Sequence, residues 1–393
     1  MFSYTAKFSK KCKPVFITAV VIYGCLCCIL YYLQLKNYAE GTGLFEADTP
    51  VHVSMAVADH FYYSITAFVY LLCSHFSFAN ILIAIFLGAI TAVTVPLTAG
   101  LVNECIKIWG GEPDDLVAYV LAFVSNFVMG FYIKAANVQH YIGYQNANMW
   151  HNSTYIVMRF AAVLVLTSYL KIAQKKAVYW KDWIIFSLLL AFSTAVKPSF
   201  LIVFAPIMAV ELVIDLVKKV PFKTLFFFGC SVIPSLIVLL WQSLVLFGDD
   251  TGNGYAISPF TALMQRGDHP KVTLILSVLF PLIVFLAHVR DFYRDRLYSF
   301  SLLVWLMGFS EVFLFTETGT RGGDSNFMWG YSIALFVLFL VSMVKLVFDY
   351  KKKTDKKALD VIYLCVATFT LVWHAVSGIW YFVLLFSGVT YFI

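Results

Sequence analysis

Charged side chains are scarce in this sequence. They make up 13% of its 393 residues, whereas a soluble domain carries about a quarter. Apolar residues make up 61%, enough for roughly a dozen stretches of the ~20 residues that cross a bilayer as a helix. These proportions exclude a cytosolic enzyme, a disordered chain and a nucleic-acid-binding protein. They predict that the protein resides in a lipid bilayer.

Two other patterns are missing as well. The apolar runs do not alternate with polar residues in segments of about ten, which argues against a β-barrel. The eight cysteines lack the spacing of a metal site, since Cys25, Cys27 and Cys28 lie inside the first apolar run and the others are scattered. No cofactor is predicted, and the question of a divalent metal stays open. We predict an all-α, polytopic transmembrane protein with one domain over residues 1–393 and about eleven or twelve spans.

Basic residues predict the orientation. Four lysines precede the apolar run from Pro14 to about Gln34, which indicates a first span with a cytoplasmic N-terminus. Most of the 28 Lys and Arg fall on the cytoplasmic side if residues 61–77 are not a span. We therefore predict two helices over 49–77 at the outer interface, in a first external loop of about 35–77, although a re-entrant hairpin would keep the same parity. The further predicted spans are 79–105, 115–135, 153–172, 182–196, 199–216, 223–246, 271–289, 297–315, 327–348 and 359–377.

Acidic residues mark the first external loop, which reads Glu46-Ala47-Asp48-Thr49-Pro50. A carboxylate directly after a span can face a site at the membrane surface. Thr49 and Pro50 also resemble the beginning of a helix, so Asp48 could simply cap it. The two interpretations are compatible, because a capping carboxylate is also a fixed one.

Three basic residues on the external side are candidates for binding an anion. Arg159 lies about two turns inside its span and Lys197 abuts an external corner. Charges at such depth usually face a cavity or a partner, although both side chains could instead extend to the lipid headgroups. Arg321 is followed by two glycines, which let a backbone approach a phosphate while the guanidinium binds two of its oxygens.

Amides and aromatic side chains on the external side suggest sugar recognition, by hydrogen bonds to hydroxyls and stacking on ring faces. A polar loop with interfacial aromatic residues is the simpler alternative. The candidate sugar or acceptor ligands are His52, His140, Gln145, Asn148, Trp150, His151, Asn326 and Trp329.

This arrangement resembles the GT-C superfamily, integral membrane glycosyltransferases that take a sugar from a polyprenyl-phosphate carrier. In that family an acidic residue of the first external loop lies between the first span and two juxtamembrane helices. The matching position here is Asp48, with Glu46 as the other acidic candidate; the family often has adjacent acids, whereas Ala47 separates these two. The resemblance covers most of the chain as architecture but only Glu46-Ala47-Asp48 as a catalytic motif. Residues 146–159 and 321–329 look similar to external segments of bacterial members that decorate surface polysaccharides.

The resemblance implies transfer of a sugar from a polyprenyl-phosphate donor to a saccharide or lipid-linked glycan on the external, periplasmic face. No large soluble C-terminal domain like that of the oligosaccharyltransferases is expected, which argues against transfer to protein. Asp48 would deprotonate the acceptor, and Arg321, Lys197 and Arg159 would hold the departing phosphate. The alternatives are an O-antigen-type polysaccharide polymerase, a transporter or lipid flippase, and a structural membrane protein, in which Arg159 and Glu311 would be unexplained.

Overall fold

Helices make up nearly all of the regular structure in the computed structural model, which confirms the predicted all-α class. The structure describes residue 4 and residues 13–58, 64–175, 179–247, 254–264, 269–319, 325–352 and 357–389. The helices are α1 Lys13–Glu40, α2 Asp48–Ala58, α3 Ile65–Ser74, α4 Ala79–Ile108, α5 Asp115–Ser125, α6 Ser153–Ala173, α7 Trp180–Val196, α8 Ser199–Val217, α9 Phe222–Cys230, α10 Ile233–Phe247, α11 Thr261–Met264, α12 Pro270–Ser277, α13 Leu279–His288, α14 Arg296–Leu314, α15 Met328–Lys352 and α16 Ala358–Leu384, with 3-10 turns at Phe292–Arg294 and Leu385–Ser387.

Ion pairs gather at one end of the helix bundle. Glu104 near the end of α4 lies 3.9 Å from Lys171 near the end of α6. Asp295, directly before α14, lies 3.2 Å from Lys345 near the end of α15. Arg296 pairs there with two carboxylates of α8. We call this the ion-pair end. We call the opposite end, where α2 begins and α7 ends, the loop end.

The helices alternate in direction between these two ends. Eight helical spans among the described residues are long and apolar enough to cross a membrane, and the pair α12–α13, bent by 65°, adds a ninth. Helix α7 runs between the ends in 17 residues, near the lower limit for a span. The stretch from α5 to Asn152 also runs between the ends, but only 11 of its residues are helical. With these two segments the described chain runs eleven times between the ends, but at most nine of these passes are long and apolar enough to cross a membrane, compared with the eleven or twelve predicted spans.

Helix α15 forms the centre of the bundle. Its most apolar stretch is 83% buried, compared with 17% for α16 at the periphery. Helix α15 packs against α4, α5, α8, α13, α14 and α16. A helix that is apolar on all sides belongs in such a central place, whereas one with an exposed apolar face belongs against lipid.

The first loop contains two short helices, as predicted for residues 49–77. Helix α2 has 11 residues and α3 has 10, so each is only about 15 Å long and cannot cross a bilayer core of about 30 Å. A hydrogen bond from the Ser64 hydroxyl to the carbonyl of Val196 (3.0 Å) holds the start of α3 against the end of α7. Both short helices therefore lie at the loop end.

The predicted span 115–135 is wrong in its second half, because α5 ends at Ser125 and the chain is irregular as far as Asn152. Irregular backbone at membrane depth persists only where the protein satisfies its polar groups. Here α16 does so: Met129 N–H donates to the carbonyl of His374 (3.2 Å), and Tyr132 N–H donates to the Ser377 hydroxyl (3.2 Å). Gly130 N–H donates to the side chain of Asn146 (2.7 Å) within the same segment.

Two four-residue strands form a small antiparallel sheet, which the sequence did not predict. Strand β1 (Gly254–Ile257) pairs with β2 (Phe315–Thr318), with Gly254 opposite Thr318. The sheet joins the segment before α11 to the segment before α15. It therefore connects two predicted external loops that are distant in sequence.

Candidate functional site

Asp48 is held by a residue at the beginning of another helix. Its Oδ2 accepts a hydrogen bond from Asn152 Nδ2 (2.8 Å). Asn152 Oδ1 accepts from the Tyr155 N–H (2.9 Å), so the same side chain also caps α6. Thr49 donates through both its N–H and its hydroxyl to the carbonyl of His151, at 3.0 Å each. These bonds fix the beginning of α2 on the beginning of α6.

Asp48 is the first residue of α2, not the residue before it. Among the described contacts, no N–H of α2 donates to its carboxylate, which instead accepts from Asn152. Its side chain is 27% exposed. Asp48 is therefore both fixed and accessible.

Lys197 lies at the same place, at the end of α7. Its ammonium donates to the Thr154 hydroxyl (3.1 Å), and that hydroxyl in turn donates to Asn152 Oδ1 (2.8 Å). The Lys197 ammonium also lies 4.5 Å from the centre of the Trp329 indole ring. Lys197 is thus linked to Asp48 through two bridging side chains.

His151 and Trp329 complete a ring of contacts around this place. His151 Nε2 lies 3.9 Å from Asp48 Oδ2, and the rings of His151 and Trp329 have centres 6.2 Å apart. We use the term outer cluster for Asp48, His151, Asn152, Thr154, Lys197 and Trp329. Its members lie in or directly beside α2, α6, α7 and α15, so it exists only in the folded bundle.

Glu317 positions the beginning of α15 beside the outer cluster. This buried carboxylate of β2 accepts from the Asn326 N–H (3.0 Å) and from Asn326 Nδ2 (3.0 and 3.1 Å). Asn326 Oδ1 accepts from Trp329 Nε1 (3.2 Å). The small sheet thereby determines where the Trp329 indole lies. Asn326, a predicted sugar ligand, uses its amide within this contact.

A small cavity lies next to Trp329, between α15 and the irregular segment 126–152. Its free interior is about 30 Å³. Hydroxyl and amide side chains line it, together with two methionines, Ile142, Gly143 and the indole; the polar members are Tyr141, Tyr144, Asn146, Ser325 and Ser332. The cavity can therefore accept a polar group that lies against the Trp329 ring.

Glu46 differs from Asp48 in its surroundings. It is exposed, and among the described residues it forms no hydrogen bond or ion pair. The adjacent Phe45 docks on the end of α16 through a hydrogen bond from its N–H to the carbonyl of Gly388 (3.2 Å). His52 lies closer to the cluster, with its Nδ1 3.4 Å from the Ser153 hydroxyl. Of the two acidic residues, Asp48 is therefore the one that the fold positions.

Most candidate sugar ligands of the polar run 137–152, which was predicted to lie on the external side, are inside the protein. Asn148, Gln145 and Trp150 are each at least 97% buried. Asn148 Nδ2 donates to the carbonyls of Ser125 (2.9 Å) and Val128 (2.7 Å), and Trp150 Nε1 donates to the Tyr23 hydroxyl (3.0 Å). His140 stacks on Tyr132 with ring centres 3.6 Å apart. Of these candidate ligands, His151 alone joins the outer cluster.

Arg159 binds the end of α5 and shares none of the hydrogen-bond partners found for Lys197. Its guanidinium donates to the carbonyl of Ser125 (3.3 Å), to Asn126 Oδ1 (3.2 Å) and to Asn148 Oδ1. It also lies over the Phe336 ring, 4.3 Å from its centre. A cation at a helix C-terminus is favourable because of the unpaired carbonyls there. Arg321, the third predicted phosphate ligand, lies outside the described residues.

Three residues of the site were missed by the sequence analysis, namely Asn152, Thr154 and Glu317. Asn152 carries a recognisable signal, since Asn before an apolar run is a preferred helix cap. Thr154 and Glu317 carry no such signal, because their partners lie 43 and 9 residues away. Neither models of protein families nor curated proteins match this chain.

Proposed function

We propose that this multi-pass membrane protein is a glycosyltransferase that moves a sugar from a polyprenyl-phosphate donor to a saccharide or lipid-linked glycan. The outer cluster is the observation that carries this proposal. It combines one accessible carboxylate, one ammonium group and one indole ring at a single place at the loop end. These are the groups that base catalysis, phosphate departure and sugar stacking require.

The proposed reaction divides these tasks between Asp48 and Lys197. The Asp48 carboxylate takes the proton of an acceptor hydroxyl, and that oxygen forms a bond to the anomeric carbon. The bond from this carbon to the donor phosphate breaks, and the phosphate leaves with the electron pair. The Lys197 ammonium stabilises its charge. Attack opposite the leaving phosphate inverts the anomeric centre.

The orientation and the sugar ligands belong to the same proposal. The N-terminus is cytoplasmic and the loop end is external, in accordance with the distribution of basic residues. The sugar lies against the Trp329 indole, with its hydroxyls towards the cavity lined by Asn146 and Tyr141. Arg321 would add a second phosphate ligand.

One observation favours a second candidate function, that of a transporter or lipid flippase. Transporters often contain broken helices near the membrane midplane. The 65° bend between α12 and α13 and the irregular segment 126–152 are features of this kind. A transporter would not need the carboxylate of Asp48 to act as a base.

The test of the proposed function replaces Asp48 by Asn in membranes that are supplied with a panel of polyprenyl-phosphate hexoses and glycan acceptors. Asn keeps the shape and an acceptor oxygen for Asn152, but it cannot take a proton. We expect sugar transfer to fall by about 10² to 10⁴-fold, with unchanged protein level. Glu46→Gln is the matched control and should retain transfer, because Glu46 is exposed and unpaired among the described residues.

Other results would contradict the assignment of the base. Loss of transfer in Glu46→Gln together with full activity in Asp48→Asn would move the base to Glu46. Full transfer in both variants would remove the first loop from catalysis. Movement of a labelled lipid across vesicles without any sugar transfer would favour the flippase.

A further inference from the structure

Arg159 is a buried cation without a carboxylate. It is 7% exposed, and among the described residues it forms no ion pair. Its hydrogen-bond acceptors are two amide oxygens and one backbone carbonyl, all of them neutral. Arg296 at the ion-pair end shows the contrast, because it contacts both Glu211 and Asp215. Charges inside a membrane are usually paired, so the arginine of α6 needs another source of negative charge.

A cavity lies beside this guanidinium. Its lining includes three tyrosines, two threonines and two amides, and its full lining is Tyr23, Tyr31, Thr91, Thr94, Asn126, Asn148, Met149, Trp150, Tyr155, Ile156 and Arg159. Each lining residue is at least 93% buried. No carboxylate lines the cavity. A group inside it is therefore surrounded by hydrogen-bonding side chains and one positive charge.

The guanidinium has donors left for such a group, since only three of its five N–H groups form hydrogen bonds among the described residues. Arg159 Nε has no hydrogen-bond partner among the described residues, whereas both Nη atoms donate. The end of α5 supplies only about half a negative charge. A buried donor without a partner is unfavourable, and more so when it is charged. An anion in the cavity would satisfy both the donor and the remaining charge.

We propose that this cavity binds a single monatomic anion, chloride under cellular conditions. The free interior of about 20 Å³ holds one particle of about the size of water. It is too small for a phosphate or a carboxylic acid. The anion forms part of the fold between α1, α4, α6 and the irregular segment 126–152. This inference does not depend on the proposed transferase activity.

The first test uses the unmodified protein in detergent. Its melting temperature is measured in sodium chloride, sodium bromide and sodium gluconate at equal ionic strength. We expect chloride and bromide to raise the midpoint by about 2 to 5 °C over gluconate, with saturation, as for any ligand that binds the folded state. A crystal grown in bromide should show an anomalous peak beside Arg159 Nε. Equal melting in all three salts together with no bromide peak would overturn the proposal and leave a water in the cavity.

Two variants test the location of the site. Thr94→Ile replaces a hydroxyl of the cavity wall by an ethyl group that fills the space, and it should abolish the chloride-dependent shift while Arg159 remains. Val93→Ile is the matched control, because Val93 is 47% exposed on the outside of the same helix, and it should keep the shift. Arg159→Met should also abolish the shift, with Arg290→Met at an exposed site as its control. A chloride shift that persists in Thr94→Ile would place the anion elsewhere and refute the assignment.

Discussion

Asn152 shows how one side chain can serve a helix and a site together. Its oxygen caps α6, and this leaves its NH₂ group directed at Asp48. The carboxylate is therefore positioned by a rigid helix and not by its own loop. Thr154, two residues further on, accepts a hydrogen bond from the Lys197 ammonium and so fixes its position. The first turn of α6 thus sets the relative placement of the proposed base and the proposed phosphate ligand.

Lys197→Ala tests the second half of this arrangement. Removing the ammonium should lower kcat/KM for a polyprenyl-phosphate sugar by roughly 10- to 100-fold, since hydrogen bonds to charged groups contribute about 1.5 to 3 kcal/mol. Lys134→Ala is the control, because Lys134 is exposed on the irregular segment. Steady-state kinetics in membranes, with thermal stability measured in parallel, separates two roles. Lower stability with normal donor kinetics would mean that Lys197 only packs on Trp329.

At the scale of elements, the irregular segment 126–132 packs closely on helix α16 and forms hydrogen bonds with it. Gly378 lets the irregular chain approach the helix, since a Cβ at this position would lie 1.6 Å from the carbonyl oxygen of Phe127. His374, one turn earlier, donates through Nδ1 to the carbonyl of Met129 and accepts at Nε2 from Phe280 N–H. These contacts determine the imidazole tautomer. The face of α16 therefore replaces the hydrogen bonds that a longer α5 would have provided.

Gly378→Ala should destabilise the protein by at least about 1 to 3 kcal/mol, because the added methyl group overlaps a backbone oxygen. Gly229→Ala is a matched control in α9. A Cβ there would lie 4.0 Å from the side chain of Leu212, at its Cδ1, and Ala is the better helix former. Thermal unfolding in detergent should separate the two variants. A Gly378→Ala protein as stable as the control would show that the irregular segment can move away from α16 at little cost.

At the scale of the whole molecule, the ion-pair end and the outer cluster with the proposed catalytic residues lie at opposite ends of the bundle. The ion-pair end joins α5, α8, α13, α14 and α15 through pairs such as Lys351–Asp114 and His288–Asp349. The Lys351 ammonium holds the pKa of the Asp114 carboxyl below its usual value. The described part of the loop end has fewer ion pairs and contains the outer cluster. Such an asymmetry is typical of a protein with a definite orientation in the membrane.

Reporter fusions test this orientation. Fusions after Lys176 and after Lys353 should report the cytoplasm, and an insertion between Gly252 and Asp268 should report the external side, because the basic residues lie at the ion-pair end. Activity of a cytoplasmic reporter at each position measures the result. An external signal after Lys353 would invert the protein in the membrane and place the outer cluster in the cytoplasm.

The sequence by itself determined the class of the protein, most of its helices and the division of its charges between two ends. These properties depend on local composition: an apolar run of about 20 residues forms a spanning helix wherever it packs. The pair of short helices after α1 was predicted from charge instead, since most Lys and Arg fall on the cytoplasmic side only if residues 61–77 are not a span. Asp48 and Lys197 could be named because charges beside apolar runs are conspicuous.

The tertiary structure alone decided which of these residues meet. Asp48 and Asn152 are 104 residues apart, and no local pattern specifies which helices become neighbours. It also decided that Asn148 and Trp150 lie inside the protein and that Arg159 binds the end of α5. A polar run such as Asn137–Asn152 looks like an external loop because polar groups prefer water. It can be buried when a neighbouring helix satisfies each of its hydrogen bonds, and that depends on packing between distant segments.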